Sequence, residues 1–283
     1  MDANRRFAVV TDSTADIAPE IAAENQIDVV PLSVSFGTET LLDGQLTQEQ
    51  FFDRMRASAN LPTTSQPPVG VFVDAYEKAL ARAEEVISVH ISNRLSGTIE
   101  SARQAAERFE GKVHVFDSLN LSWGLGWQVL DAASSAASGL QVDEALDRLE
   151  AVRRRVQLIV GLDSLDNLAR GGRIGKVSAL LGAMLNLKVT LTVNEDGEFI
   201  PLARSRGEKA GLDHTMEWIA QQMGAHTRGR FAVGHALSEP RARQLADRIS
   251  ALYDAEQIVI YRAGSVICAH TGTGWGVAVL PID

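Results

Sequence analysis

The sequence predicts an α/β protein of two domains. Three observations lead there. Short apolar runs alternate with amphipathic stretches, so the first half reads strand, helix, strand, helix. The connections between them are short, which implies a mostly parallel sheet with helices on both faces. Beyond residue 162 the pattern changes: Asn194-Glu195-Asp196-Gly197 lies between two apolar runs, the clearest hairpin signal in the chain. A length of 283 residues is enough for both parts. The expected division is residues 1–162, an α/β domain carrying the Thr64 and Ser96 loops, and residues 163–283, an α/β domain with a hairpin-containing sheet carrying Arg170, Arg173 and His270.

Phe7-Ala8-Val9-Val10 reads as a buried strand, with the polar turn Thr11-Asp12-Ser13-Thr14-Ala15-Asp16 at its C-terminal end. Open α/β sheets place ligands at such turns. Asp12 and Asp16 suit turn and cap roles, with metal binding as the other use of such acids. Ile17 to Asn25 reads as a helix. Ile27 to Phe36 is strand-like, and Pro31 within it marks an edge or a bulge. Thr47 to Ala59 places Phe51, Phe52 and Met55 at helical spacing, a core-packing stripe. Leu61-Pro62-Thr63-Thr64-Ser65-Gln66-Pro67-Pro68 is a stiff loop rich in hydroxyls. It either fixes a hydroxyl in place or serves as a helix entry with Pro68 in the first turn. Val69 to Ala83 follows as a helix, Val86 to Ile91 as a buried strand and Val113 to Phe116 as another. An alanine-rich helical region with Trp123 and Trp127 comes next, then an amphipathic helix from Val142 to Arg155.

In the second half, Val156 to Leu162 is an apolar strand. Leu165 to Gly175 reads as a helix stopped by Gly171-Gly172, and Val177 to Leu185 as an apolar helix. The hairpin joins Leu187–Val193 to Phe199–Ala203. A helix to Gln222, a strand at Phe231–His235, a helix at Pro240–Ala251 and a strand at Ile258–Arg262 follow. Ser265 to Gly276 is an apolar run capped by His270 and a glycine-rich turn, and Val277 to Leu280 is the last strand.

Apolar residues make up 45% and charged residues 22%, an ordinary globular balance. A net charge of -9 argues against a nucleic-acid binder or a protein held on membranes by basic residues. The single cysteine, Cys268, fits a reducing compartment. No signal-peptide pattern or bilayer-spanning stretch is present in the sequence, so a cytoplasmic location with at most transient membrane contact is expected. No Gly-x-Gly-x-x-Gly follows the first strand and no Walker A motif occurs. No set of residues has zinc spacing, so neither a metal nor a cofactor is expected.

The polar residues that stand out are Thr64, Ser96, Thr98, Arg170, Arg173 and His270. Ser96-Gly97-Thr98 sits between a strand and an alanine-rich helix. The first turn of a helix has unpaired donors and a positive dipole end, which makes an anion site; the same hydroxyls also suit plain capping. Glycines crowd the turn after His270 and allow close approach. A Ser96–His270 nucleophile and base would make a serine-type acyl hydrolase, but Ser96 lies in no Gly-x-Ser-x-Gly elbow. Arg170 and Arg173 flank two glycines, and their guanidiniums suit a phosphate or a partner's carboxylate. That would fit a phosphate- or sugar-binding sensor, or simply a solvated helix end.

Taken together, the chain resembles the DegV family of fatty-acid-binding, FakB-type proteins. The resemblance rests on Val10-Thr11-Asp12-Ser13, Val30-Pro31-Leu32, Asp43-Gly44, Thr64-Ser65-Gln66-Pro67, Leu95-Ser96-Gly97-Thr98 and Asp117-Ser118. It continues in Leu168-Ala169-Arg170-Gly171-Gly172-Arg173-Ile174, Ala179-Leu180-Leu181-Gly182 and His270-Thr271-Gly272. It implies a two-domain α/β protein that binds one long-chain fatty acid and has no catalysis of its own. The carboxylate would be held by Thr64, Ser96 and His270, with Gly97 and Thr98 beside it. An ATP-binding fatty acid kinase subunit would phosphorylate the acid for phospholipid synthesis, docking on Arg170, Arg173 and the arginine after the hairpin. That arginine falls at Arg204 or Arg206; the spacing fits both. Ala183, Met184 and Leu185 suit a wall for the acyl tail or ordinary core. Two positions depart from the family pattern: Lys188-Val189 replaces Lys-Pro, and Leu41-Leu42 stands where a tyrosine is common.

Overall fold

The protein is described by a computed structural model for residues 5–180 and 187–282. In chain order the elements are β1 (Arg5–Asp12), α1 (Pro19–Glu24), β2 (Ile27–Val30), β3 (Ser33–Phe36), β4 (Glu39–Leu42), α2 (Gln48–Ala57), β5 (Thr63–Ser65), α3 (Val69–Leu80), β6 (Ala83–His90), α4 (Thr98–Ala106), β7 (Val113–Asp117), α5 (Ser122–Ala137) and α6 (Val142–Arg155). There follow β8 (Gln157–Leu162), α7 (Asp166–Arg170), β9 (Leu187–Val193), β10 (Phe199–Arg206), α8 (Gly207–Met223), β11 (Arg228–Ala236), α9 (Glu239–Leu252), β12 (Asp254–Arg262), α10 (Ser265–Thr271) and β13 (Gly274–Ile282).

The chain forms two compact units. The first holds the residues up to Ser33 together with Ser65–Arg155; the second holds Val34–Thr64 and the chain from Val156 onward. This corrects the single cut at residue 162 in two places. Segment 34–64, with Thr64, belongs to the second unit, and so does β8.

The physical reason lies in α2 and β8. Phe51 and Phe52 of α2 are fully buried with Cys268 and Ala269 of α10 and Ala236 of β11. Gln48 donates from Nε2 to the carbonyls of His235 and Ala263, both at 3.0 Å, and accepts from the Leu237 N–H at 2.8 Å. Asp43 accepts from the Ser265 N–H at 2.9 Å, at the start of α10. Strand β8 lies between β9 and β13, inside the sheet of the second unit.

The first unit is built on a parallel sheet, β2-β1-β6-β7. Ala8 and Val10 of β1 pack with Phe72, Tyr76, Ala102 and Ala105 of α3 and α4. The alternate residues Phe7 and Val9 are equally buried and point to the other face, as strand geometry requires. Helix α5 packs against β1 and β6, and almost all of its residues are buried. Its Trp123 and Trp127 rings meet edge to face, 4.8 Å between centroids.

The second unit carries a six-stranded mixed sheet, β10-β9-β8-β13-β11-β12, and a small sheet, β4-β3-β5. Strands β9 and β10 form the expected hairpin. Trp275 anchors the core: its indole donates to Thr215 at 3.0 Å, and a Cβ on Gly161 would stand 2.1 Å from its ring. Asp163, at the end of β8, accepts from Lys188 at 2.6 Å, Arg241 at 2.9 Å and Thr273 at 2.7 Å. Burial pushes its carboxyl pKa up, but these partners outweigh burial and hold it below the ordinary value.

Several element bounds differ from the sequence reading. The Ile27–Phe36 run breaks at Pro31-Leu32 into β2 and β3, and α3 stops at Leu80. Helix α7 covers only Asp166–Arg170, because Gly171 is its C-cap and Gly172 takes φ 73°. Of the expected helix Val177–Leu185, residues up to Leu180 form a 3-10 turn, Gly175–Leu180. Residues 181–186, which include Leu181-Gly182 and the tail-wall residues Ala183, Met184 and Leu185, lie outside the described residues.

Candidate functional site

The apolar run before the C-terminal glycines is α10, a helix of seven residues ending at Gly272 with φ 66°. That end places His270 in the last helical turn. Strand β5 presents Thr64. The two side chains meet at 2.7 Å, Thr64 Oγ1 to His270 Nε2. Both are half-buried.

A helix C-terminus favours a charged imidazole, yet here the opposite wins. Burial, and then the Arg173 guanidinium, push the His270 pKa down to about 4. The ring is therefore neutral at pH 7. Its Nδ1 is buried and has no hydrogen-bond partner among the described residues.

In the first unit, Ser96 and Thr98 stand at the start of α4. Their hydroxyls are 2.8 Å apart, and Ser96 Oγ accepts from the Thr98 N–H at 3.3 Å. Gly97 is the N-cap and offers no side chain. The capping reading is thus satisfied in part, while the half-buried Ser96 hydroxyl stays at a helix start. Gln66 Nε2 donates to Ser101 at 2.9 Å, and its Oε1 would lie 2.1 Å from a Cβ on Gly97. The glycine lets this side chain lie over the turn. The structure thus brings Thr64 and His270 together within the second unit, and Ser96 and Thr98 together within the first.

The arginines divide. Arg173 folds back, donating to the Gly171 carbonyl at 2.8 Å. Arg170 is exposed at the end of α7. Arg204 and Arg206 are exposed on one face of β10, with the buried Ser205 between them.

Two features escaped the sequence reading. Asn167 donates to the Ala269 carbonyl at 3.1 Å and so ties α7 to α10; the only signal was its place before Arg170-Gly171-Gly172. The second is a buried chain in the first unit. Asp12 accepts from His90 at 2.9 Å, His90 meets Ser88 at 2.6 Å, and Ser88 meets Tyr76 at 2.9 Å. Asp12 also accepts from the Ile91 N–H at 3.0 Å and from Thr14. Ser88, His90 and Asp12 are fully buried. The order is that of a hydrolase triad, but a sealed serine reaches no substrate, so the chain ties β1 to β6 at the root of the Ser96 loop. No group of residues that could hold a metal occurs among the described residues. Among them, too, no helix is long and apolar enough to cross a membrane.

Fold and site together define a two-unit α/β protein whose second unit carries a neutral threonine–histidine donor pair. The chain belongs to the DegV family. The family model, described as an uncharacterised protein family, DegV, matches residues 6–281. A DegV domain-containing protein of Deinococcus radiodurans is 40% identical over 283 residues, covering 98% of this chain and 99% of the relative. A DegV family protein from Thermus thermophilus, solved as a fatty-acid-binding protein, superposes with a TM-score of 0.93 at 34% identity, covering 98% of this chain and 100% of its own. The Streptococcus pneumoniae fatty acid kinase B3 protein, loaded with linoleic acid, shares the fold. Its TM-score is 0.86 at 23% identity, with 98% of this chain and 99% of its own covered.

Proposed function

We propose that this protein is a cytoplasmic carrier for one long-chain fatty acid, presented to a separate ATP-dependent kinase subunit that forms the acyl-phosphate. The observation that carries the reading is the Thr64–His270 pair, held at 2.7 Å with the imidazole neutral. An acyl tail gains about 0.8 kcal/mol per buried methylene, roughly 10 kcal/mol for a long chain before the costs of association. The carboxylate is the difficult end, since an unpaired buried charge costs several kcal/mol or more. Neutral donors satisfy it without a permanent ion pair and leave an oxygen available to a phosphoryl group. Ser96, Gly97 and Thr98 are further donors to the carboxylate on this reading. Their support is the family pattern and two hydroxyls at a helix start. The exposed Arg170, Arg204 and Arg206, with Arg173, make the docking surface for the kinase subunit.

The bare Nδ1 of His270 favours this reading over an acyl hydrolase. A catalytic histidine is oriented by an acid at that atom, and no such acid stands there among the described residues. The test is denaturing extraction of the purified protein, followed by mass spectrometry and re-binding of oleate to the stripped protein. A fatty acid should be released and taken up again. Thr64→Ala, which removes a hydrogen bond to the charged group, and His270→Gln, which removes the imidazole that holds the Thr64 hydroxyl, should each weaken uptake about tenfold. A protein that carries no lipid and refuses oleate and palmitate would sink the reading.

A further inference from the structure

The double glycine after α7 does more than end a helix. A Cβ on Gly171 would stand 2.4 Å from Nδ1 of His270 and 3.1 Å from its Cε1. Only a residue without a side chain lets the backbone lie this close to the ring. The polar groups of Gly171 are already engaged: its N–H donates to the Asn167 carbonyl at 2.8 Å, and its carbonyl accepts from Arg173 at 2.8 Å. Asn167 also fixes the last turn of α10, donating to the Ala269 carbonyl at 3.1 Å. Nδ1 of the imidazole is therefore packed against the bare Cα of Gly171.

This packing decides where the single ring proton sits. A proton on Nδ1 would be a buried donor with no acceptor, which native structures avoid more strictly than an idle lone pair. The proton then belongs on Nε2, which donates to Thr64 Oγ1. A hydroxyl that accepts from the imidazole turns its own proton outward, as a donor to an anion. We infer that Gly171 is a positioning residue of the site: its bare Cα packs against Nδ1 of His270, holds the Nε2–H tautomer and makes the Thr64 hydroxyl a donor to the ligand carboxylate. The last step rests on the fatty-acid reading above; the hold on the ring does not.

The test uses the full-length protein labelled with 15N-histidine. Long-range 15N–1H correlations of the lipid-free wild type at pH 7, with His270 assigned by its loss in His270→Gln, should show a protonated Nε2 and a bare Nδ1. Gly171→Ala should lose that pattern and bind oleate at least tenfold more weakly. Gly172→Ala is the control: it sits at φ 73° with nothing within 4 Å, so it strains the same loop without touching the ring, and it should bind within about twofold of wild type. A wild-type Nδ1–H tautomer, or equal binding by the two alanine variants, overturns the inference. If Gly171→Ala does not fold, the wild-type tautomer decides alone. A wild type with the Nε2–H tautomer that takes up no oleate upholds the hold on the ring and removes the fatty-acid reading instead.

Discussion

His270 makes the stability of this protein depend on pH in a definite direction. Its pKa falls from 6.5 in the unfolded chain to about 4 in the fold, chiefly through burial and then through Arg173. Between those values the unfolded chain binds the proton and the folded one does not, so stability falls as pH falls. The contribution is complete above pH 6.5 and lost by about pH 4, with an upper size of about 3 kcal/mol. Urea unfolding across this range should show the wild type losing more stability than His270→Gln; parallel curves would refute the assignment. Legibility at this scale followed chemistry. Thr64 and His270 stood out once the short motifs were read together. Gly171 and Asn167 did not, because a glycine's lack of a side chain matters only against a ring a hundred residues away.

At the level of elements, periodicity located most helices and strands, and the misses have local causes. Helix α10 is too short to show a helical period, so its residues read only as an apolar run. The double glycine stops α7 as expected, with Gly171 as its C-cap and Gly172 at φ 73°. Helix α2 was placed correctly, with Thr47 and Gln50 forming its capping box. Its partner could not be seen. Gln48, at its first turn, bridges the end of β11 and the start of α10 through three backbone groups. Replacing it with alanine removes three hydrogen bonds, each worth about 1 kcal/mol net, and takes from the Leu237 N–H its side-chain acceptor, while the His235 carbonyl still accepts from the Ala263 N–H at 3.0 Å. Gln48→Ala should therefore cost roughly 2–3 kcal/mol in denaturant unfolding, a loss that Gln50→Ala, on the exposed cap, would not match. Equal losses in the two variants would show that the bridge does not hold α2.

For the whole molecule, the parallel first half and the hairpin of the second were legible, and the division between them was not. A single cut assumes that each unit is one stretch of chain. Here residues 34–64 leave the first unit and join the second through burial against α10 and β11, contacts that no local pattern encodes. That arrangement puts Thr64 in the same unit as His270 and as the arginines of α7 and β10. The charge distribution then bears on the proposed docking of a kinase subunit. The chain carries a net charge of -9, which by itself would repel an acidic surface. Most arginines are spent on ion pairs within their unit, such as Arg241 with Asp163 and Arg262 with Glu49. Arg170, Arg204 and Arg206 are exposed and have no ion-pair partner among the described residues, so they are free to meet a partner's carboxylates. Exposed charges of this kind steer association more than they add affinity, and their effect is screened by salt. The double variant Arg204→Glu/Arg206→Glu should lower kinase-dependent acyl-phosphate formation at least tenfold at low salt. The deficit should shrink as salt rises, and oleate uptake should stay unchanged. A variant that is phosphorylated at the wild-type rate, or one that loses oleate along with the kinase step, would move the docking surface elsewhere on the molecule.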